Sequence, residues 1–225
     1  MSGCRAVVRV PATSANVGVG YDCLGLALSL EATFIFEVAD RLSIDGCEER
    51  FRGEDNLVWT SYLDACRRLY VRPHRLHITI HSPIPLSGGL GSSSACVVAG
   101  IAAAQALNAS GFDPKGSLEI ATLLEGHPDN VAPAIMGGLV SSFLDGRHTH
   151  SLRFEIAEGL AFVAIAPPYE VRTADARKVM PQSVPTETAV WQIGHCVAAV
   201  HALTTGDAGL LAVSCQDRLH EPYRS

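Results

Sequence analysis

Ile84–Ala95 reads I-P-L-S-G-G-L-G-S-S-S-A and precedes an uncharged run of small residues, Cys96–Leu107. Gly88, Gly89 and Gly91 let the backbone N–H groups of such a loop approach a ligand closely, because glycine has no side chain. The run behind the loop predicts a helix, whose N-terminus carries partial positive charge. The segment, called the glycine loop below, is therefore predicted to bind phosphate.

Ser92, Ser93 and Ser94 lie where this helix would begin. One hydroxyl can cap the helix while another reaches a phosphate oxygen or a metal ion. The loop contains no lysine, so it does not fit the G-x-x-x-x-G-K-[ST] pattern of a Walker A loop. A tight turn into a buried helix is the alternative that the loop by itself leaves open.

The composition favours a globular protein that acts on small molecules. Of 225 residues, 48% are hydrophobic and 18% are charged, an ordinary globular balance. The net charge is −6 and the arginines are scattered, so no basic stripe is available to nucleic acid. The seven cysteines are widely spaced and lack a C-x-x-C pair, which indicates reduced thiols and not a disulfide framework or zinc site. The N-terminus lacks the apolar core of a signal peptide, so a cytoplasmic protein is expected.

Residues 82–112 contain no charge, so a membrane span has to be considered. Prolines and glycines fill the first part, and the remaining apolar run is shorter than the roughly 20 residues that a bilayer requires. A buried helix is the better interpretation, and no membrane partner is expected.

Hydrophobic periodicity predicts a mixed chain whose first part is mostly β. Strands are predicted over residues 6–10, 24–30, 33–38, 42–44, 75–81, 139–144, 152–156 and 160–166. Helices are predicted over residues 55–69, 92–107, 113–124 and 189–203, with a short one following 167–177. Asp55 and Asp113 are the expected N-caps, and Pro114 suits the first helical position.

Two further loops concentrate polar side chains beside apolar sequence. Pro11–Asp22 reads P-A-T-S-A-N-V-G-V-G-Y-D, with Asn16 and Asp22 as its only strongly polar residues apart from hydroxyls. Glu125–Asn130 reads E-G-H-P-D-N. Such loops usually converge on a ligand. A glycine-rich hairpin for the first and a solvated helix–helix turn for the second remain open alternatives.

Together the three motifs resemble the GHMP kinase superfamily and, within it, the homoserine kinases. The glycine loop indicates only the superfamily, whereas Pro11–Asp22 and E-G-H-P-D-N-V-A-P-A-I-M-G-G (Glu125–Gly138) narrow the resemblance, which covers essentially the whole chain. It implies an enzyme that uses ATP and Mg²⁺ to phosphorylate the hydroxyl of L-homoserine, giving O-phospho-L-homoserine on the way to threonine.

The resemblance also implies an α+β fold of two domains. Residues 1–155 would form the ATP-binding domain with a left-handed βαβ crossover, a connection too rare for sequence pattern to suggest. Residues 156–225 would form an incomplete ferredoxin-like domain, because relatives continue for several elements past E-P-Y-R. We therefore expect a shortened enzyme that is weakly active or inactive by itself, with Arg224 frayed beside the last residue. A homodimer is left open.

The resemblance assigns roles to residues of all three motifs. ATP phosphates would be held by Pro85, Leu86, Ser87, Gly88, Gly89, Leu90, Gly91, Ser92, Ser93 and Ser94. Magnesium would be bound by Ser93 and Glu125, with Glu119 as the fallback for the carboxylate. L-Homoserine would be bound by Asn16, Asp22, His127, Asn130, Arg177 and Arg224.

Within that set, Asp22 suits the ammonium group, and the arginines suit the carboxylate because a fork of N–H donors matches its planar shape. The catalytic groups would be Asn130, Glu125 and Ser93. Phosphoryl transfer asks little covalent chemistry of a protein, so Asn130 is assigned to positioning and not to proton abstraction.

Other functions remain open at this point. Another small-molecule GHMP kinase would share the glycine loop but not both flanking motifs. A nucleotide-binding fragment without catalysis is the non-enzyme alternative. A serine hydrolase using Ser93 and His127 is disfavoured because the chain has no G-x-S-x-G elbow.

Overall fold

A six-stranded mixed sheet organises the computed structural model of the chain, which describes residues 4–86, 88–108, 111–165 and 173–224. The strands are β1 (Arg5–Ala15), β2 (Leu24–Val38), β3 (Ser43–Asp45), β4 (Leu76–His81), β5 (Leu139–Asp145) and β6 (His148–Phe154). Their order is β3-β4-β2-β5-β6, and β1 pairs along β2. The long strand β2 is therefore the centre of the sheet.

Eight helices accompany the described strands. They are α1 (Leu57–Arg68), α2 (Ser92–Leu107), α3 (Pro114–Glu125), α4 (Val131–Met136), α5 (Thr173–Lys178), α6 (Thr186–Thr205), α7 (Ala208–Ser214) and α8 (Glu221–Arg224). None of the helices found there is both long enough and apolar enough to span a bilayer.

The β3–β4 pair is parallel, whereas the other pairs are antiparallel. Parallel neighbours need a crossover connection, and α1 supplies it. This crossover and the mixed sheet agree with the expected α+β class.

The main core lies between the sheet and the helices α1 to α4. Phe34, Phe36, Leu76 and Ile78 alternate with more exposed residues along β2 and β4, so one face of the sheet is buried. Gly100 lets α1 and α2 pack closely, because a side chain there would lie 2.5 Å from the Val58 carbonyl oxygen. The central helix α2 is thereby held with its first turn at one end of the sheet.

A smaller apolar cluster joins the later helices to the sheet. Leu26 of β2, Leu139 of β5 and Leu203 of α6 are buried against one another. The α6 helix therefore packs beside the β2–β5 end of the sheet, where β2 starts.

The first predicted loop is partly wrong, because β1 continues to Ala15. Thr13–Ala15 pairs with Gly25–Ala27 after a register shift between Pro11 and Thr13. The two strands predicted over 24–30 and 33–38 are one strand for the same reason, since β1 and β2 pair along nearly their whole length.

The helix starts also differ from the predicted caps in two cases. Asn56 caps α1, since its Oδ1 accepts a hydrogen bond from Val58 N at 2.9 Å, and Asp55 precedes it. Gly91 is the N-cap of α2, with φ of 68° and no side-chain cap bond, so none of the serines caps this helix. Asp113 caps α3 with Pro114 in the first turn, as predicted.

The strand predicted over 160–166 is wrong for residues 160–165, which form no regular element. No described strand lies beside them to complete a hydrogen-bonded ladder, and Val163 and Ile165 are 86% and 88% exposed. Ala166 lies outside the described residues. The other predicted strands and helices are confirmed with shifted ends: β3 begins at Ser43, β6 at His148 and α6 at Thr186.

Candidate active site

The three polar motifs converge on one cavity of about 230 Å³, called the central cavity below. It lies where the end of β1, the first turn of α2, the α3–α4 turn and the helices α5 and α8 meet. Its lining residues are Ala15, Asn16, Asp22, Gly89, Gly91, Ser92, Ser93, Glu125, His127, Asp129, Asn130, Ala176, Arg177 and Arg224. The structure thus brings together every residue predicted for magnesium and acceptor binding.

Some residues predicted to bind phosphates lie apart from this cavity. Ser94 is fully buried and does not line it, because the first turn of α2 carries its side chain inward. Pro85, Leu86, Gly88 and Leu90 are also absent from its lining. Ser87 lies outside the described residues.

The N-terminus of α2 points its first backbone N–H groups at the cavity, with Ser92 and Ser93 beside them. Gly91 has a left-handed backbone, and a side chain there would collide with the hydroxyl of Thr13. Free N–H groups at a helix start form a site for anions. The glycine loop thus leads into a helix start that lines the central cavity.

Glu125, the last residue of α3, meets the serines of α2. Ser93 Oγ donates a hydrogen bond to Glu125 Oε2 at 3.4 Å. Burial raises the pKa of Glu125, and the nearby serine hydroxyls and His127 oppose that rise. The fallback Glu119 lies elsewhere, with its Oε1 3.3 Å from His148 Nδ1.

A magnesium ion would fit at Ser93 and Glu125. Both offer oxygen, the ligand type that this ion prefers, and it commonly takes one or two carboxylates together with phosphate oxygens and water. Among the described residues no group of three or more histidines, cysteines or carboxylates is arranged to hold a metal.

His127 is held by a carboxylate that the sequence analysis gave no role. Its Nδ1 lies 2.5 Å from Oδ1 of Asp129, which is only 3% exposed. The Asp129 hydrogen bond raises the pKa of His127, against the opposing effect of burial. Asp129 stands two residues after the histidine, so the motif itself contained the signal.

Asp22 and Arg177, assigned to opposite ends of the acceptor, pair with each other. Arg177 donates to both Asp22 carboxylate oxygens, at 3.0 and 2.6 Å. Asn16 holds the turn before this pair, since its Oδ1 accepts a hydrogen bond from Asp22 N at 2.9 Å. The pair uses two of the five N–H donors of Arg177, so a ligand can bind beside the pair or open it.

Arg224 is placed at the cavity, contrary to the expectation of a frayed end. Its Nε is buried with no hydrogen-bond partner among the described residues, and its guanidinium lies 5.1 Å from the Tyr21 ring centroid. The preceding turn is held by Asp217 Oδ1, which accepts hydrogen bonds from the backbone N–H groups of residues 219, 220 and 221. Arg224 thus offers the cavity a cation with an unused donor.

The sequence analysis did not identify Thr13 and Gln192 as residues that support the site. Thr13 Oγ1 donates to Asn130 Oδ1 at 2.8 Å, and Gln192 Nε2 donates to Val19 O at 2.6 Å. Thr13 resembled the other small residues of its motif, and Gln192 sits on a helix distant in sequence. Only the folded chain shows that both support the polar loops.

A second cavity of about 700 Å³, called the apolar cavity below, adjoins the central one. The two share Ser92 and Ser93. Its other lining residues include Phe34, Cys47, Phe51, Leu57, Ile80, Ile84, Leu86 and Cys96. The sequence analysis did not predict this cavity, because its walls come from five separate segments.

Residues 56–138 match the model of the GHMP kinases N-terminal domain. This chain is 40% identical to the homoserine kinase of Clostridium botulinum. The alignment covers 97% of this chain and 74% of that relative. The homoserine kinase of Thermus thermophilus is also 40% identical, with 96% of this chain and 74% of the relative aligned.

Solved structures agree with these sequence matches. The crystal structure of homoserine kinase from Cytophaga hutchinsonii superposes with a TM-score of 0.82 at 30% identity, over 100% of this chain and 74% of that one. A Streptococcus pneumoniae phosphomevalonate kinase superposes with a TM-score of 0.69 at 12% identity, over 93% of this chain and 77% of that one, a likeness of fold alone.

Proposed function

Since this chain belongs to the homoserine kinase family of the GHMP kinases, we infer that it transfers the terminal phosphoryl group of ATP to the hydroxyl of L-homoserine. The product is O-phospho-L-homoserine, an intermediate of threonine biosynthesis. The observation that carries the inference is the convergence of Pro11–Asp22, the glycine loop and the E-G-H-P-D-N motif on the central cavity.

The ATP phosphates are proposed to lie at the N-terminus of α2. There the free backbone N–H groups, with the hydroxyls of Ser92 and Ser93, form the donor array that a phosphate needs. The nucleoside is proposed to occupy the apolar cavity, which shares those two serines and is lined by apolar side chains together with Glu48, Arg50 and Arg52. Gly89 and Gly91 keep the loop backbone close to the phosphates.

Magnesium is proposed to be held by Glu125 and Ser93. When bound, the ion neutralises charge on the phosphates during transfer. Burial raises the pKa of Glu125 because an unpaired carboxylate is costly away from water. A cation next to the carboxylate offsets that cost. The Glu125–Ser93 hydrogen bond keeps both oxygens on the same side of the cavity.

L-Homoserine is proposed to bind as a zwitterion between Asp22 and the two arginines. Its ammonium group takes the place of the Arg177 guanidinium beside Asp22, and its carboxylate binds Arg177 and the guanidinium of Arg224. The ligand thus supplies a new partner for each charge of the separated Asp22–Arg177 pair. Asn16 and His127 complete this end of the cavity.

No general base is assigned. Asn130 carries an amide, which does not take up a proton as a carboxylate does, and the raised pKa of His127 favours its protonated, donor form. Placement of the hydroxyl and stabilisation of phosphoryl charge by N–H donors account for catalysis in this site.

The proposed division between the two domains is at residue 155, directly after β6 ends at Phe154.

A panel of hydroxyl acceptors in an ADP-release assay tests the proposal. L-Homoserine should support Mg²⁺-dependent ADP release, whereas L-serine, mevalonate and galactose should support little. Equal release with several acceptors would indicate another small-molecule GHMP kinase. ATP binding without any release would indicate a nucleotide-binding fragment.

A further inference from the structure

Two asparagine side chains of the central cavity each use the amide oxygen to accept a hydrogen bond from the protein. Asn130 Oδ1 accepts a hydrogen bond from Thr13 Oγ1 at 2.8 Å, and Asn16 Oδ1 accepts one from Asp22 N at 2.9 Å. No described residue accepts a hydrogen bond from either Nδ2 group. An amide carries two N–H donors, so both asparagines have donors to offer a ligand.

Thr13 is built into the fold at the point where three segments meet. It is fully buried near the end of β1, and its backbone N–H donates to the Leu90 carbonyl of the glycine loop at 3.1 Å. Its hydroxyl lies where a side chain at Gly91 would have to go. The Thr13 hydroxyl therefore has little freedom, and its strong polar contact is the one to Asn130.

The direction of that hydrogen bond determines what Asn130 can do. In the structure the Thr13 hydroxyl donates to the Asn130 carbonyl oxygen, which leaves the two N–H donors of the Asn130 amide for the cavity. A group held in this way is an N–H donor toward the cavity and not a proton acceptor. Ser93 and Glu125 line the same cavity, so the donors lie beside the proposed phosphate position.

We propose that Thr13 is a positioning residue whose hydroxyl holds the Asn130 amide with its N–H donors toward the transferred phosphoryl group. The inference rests on the proposed kinase function. In the transfer, the bond from the homoserine oxygen to the γ-phosphorus forms while the bond to the β–γ bridging oxygen breaks, and the hydroxyl proton passes to a phosphate oxygen. Preorganised donors stabilise the charge on the phosphoryl oxygens as this occurs.

Thr13→Val removes the hydroxyl and keeps the branched shape, whereas Thr13→Ser keeps the hydroxyl. We expect Thr13→Val to lower kcat about 10-fold with the KM values for ATP and L-homoserine nearly unchanged, a fraction of the roughly 100-fold loss when a direct donor is removed. Thr13→Ser should retain most of kcat. Thr149→Val is the matched control, because Thr149 is a buried strand threonine outside the central cavity.

The double variant separates positioning from packing. Asn130→Ala removes the proposed donors, and α4 keeps its start because the Asn130 side chain makes no cap bond. If Thr13 acts through Asn130, Thr13→Val should add almost nothing to Asn130→Ala. Independent, additive losses would overturn the proposal, as would equal losses in Thr13→Val and Thr13→Ser.

Side-chain amide signals in a ¹H–¹⁵N NMR spectrum give a readout that needs no turnover. The Asn130 pair, identified by its loss in Asn130→Ala, should shift in Thr13→Val and stay in place in Thr149→Val. Unchanged Asn130 signals in Thr13→Val would overturn the positioning role. Failure of the unaltered chain to bind ATP and L-homoserine would instead count against the proposed function, so the two failures are distinguishable.

Discussion

At the scale of single residues, Gly91 is a position of the site whose backbone conformation and surroundings leave no room for a side chain. Its φ of 68° is unfavourable for a side chain, and a Cβ would meet the Thr13 hydroxyl and come within 3.3 Å of Asn130 Oδ1. Gly91→Val should therefore abolish ATP binding measured by calorimetry. Gly146→Val is the control, since Gly146 also has positive φ, at 60°, but has open space around it. Retained ATP affinity in folded Gly91→Val would remove the glycine loop from the site.

Arg177 should contribute to binding the acceptor and not ATP. Loss of a charge-paired contact of this kind costs about 2 to 4 kcal/mol, or roughly 30- to 1,000-fold in KM for L-homoserine, and partial exposure places Arg177→Ala toward the low end. Steady-state kinetics should show KM for ATP nearly unchanged. A carboxylate-free amino alcohol should lose nothing comparable, and an equal loss with that acceptor would contradict the carboxylate role.

The His127–Asp129 pair predicts a pH dependence of stability. Because the folded state raises the pKa of His127, the pair stabilises fully below the unfolded value, about 6.5, and the contribution is lost as pH rises through the folded value. The difference in melting temperature between the unaltered chain and Asp129→Asn should therefore be larger at about pH 5.5 than at about pH 8.5. A difference that grows with rising pH would contradict this sign.

The residues of the site were largely predictable and their pairings were not. Glycines, hydroxyls and clustered polar residues mark Asn16, Asp22, Ser93, Glu125 and Asn130 in the sequence. A hydrogen bond such as Thr13 to Asn130 joins residues 117 positions apart, and no local pattern encodes it. The Asp22–Arg177 pair depends in the same way on how α5 meets the loop before β2.

At the scale of secondary structure elements, local signals predicted α3 and β4 well and the first two strands less well. Asp113 with Pro114 determines a helix start by itself. Pro11 and the small residues after it suggest a loop, but pairing with β2 overrides that local preference and extends β1 to Ala15. Segment 160–165 shows the converse, since this apolar sequence has no strand beside it in the described part of the chain and forms no ladder there.

The α6 helix exposes an apolar stripe of Val190, Ile193 and Val197, each 65% to 66% exposed. Contiguous exposed apolar surface promotes association and dye binding. Ile193→Lys should reduce fluorescence of a hydrophobic dye bound to the folded chain without lowering the melting temperature. Glu187→Gln is the control, because it changes the net charge by the same single unit at an exposed position of the same helix. Unchanged fluorescence in Ile193→Lys would show that this stripe does not bind the dye.

At the scale of the whole molecule, separate parts of the fold line the two ends of the proposed active site. The helix start of α2 and the apolar cavity are proposed to bind nucleotide, and the β1–β2 loop with α5 and α8 is proposed to bind the amino acid. Asn130 and Glu125, at the α3–α4 turn, stand between them. The α+β class and the three motifs were predictable from sequence, whereas the apolar cavity, made of distant segments, required the fold.

The most direct measurement is a crystal structure of the chain with a non-hydrolysable ATP analogue, magnesium and L-homoserine. The account predicts phosphates at the first turn of α2, the base in the apolar cavity, and the amino-acid carboxylate on Arg177 and Arg224 with the Asp22–Arg177 pair opened. The homoserine hydroxyl should face the terminal phosphate beside Asn130. Homoserine bound outside the central cavity, or phosphates away from Gly91 to Ser93, would contradict the account.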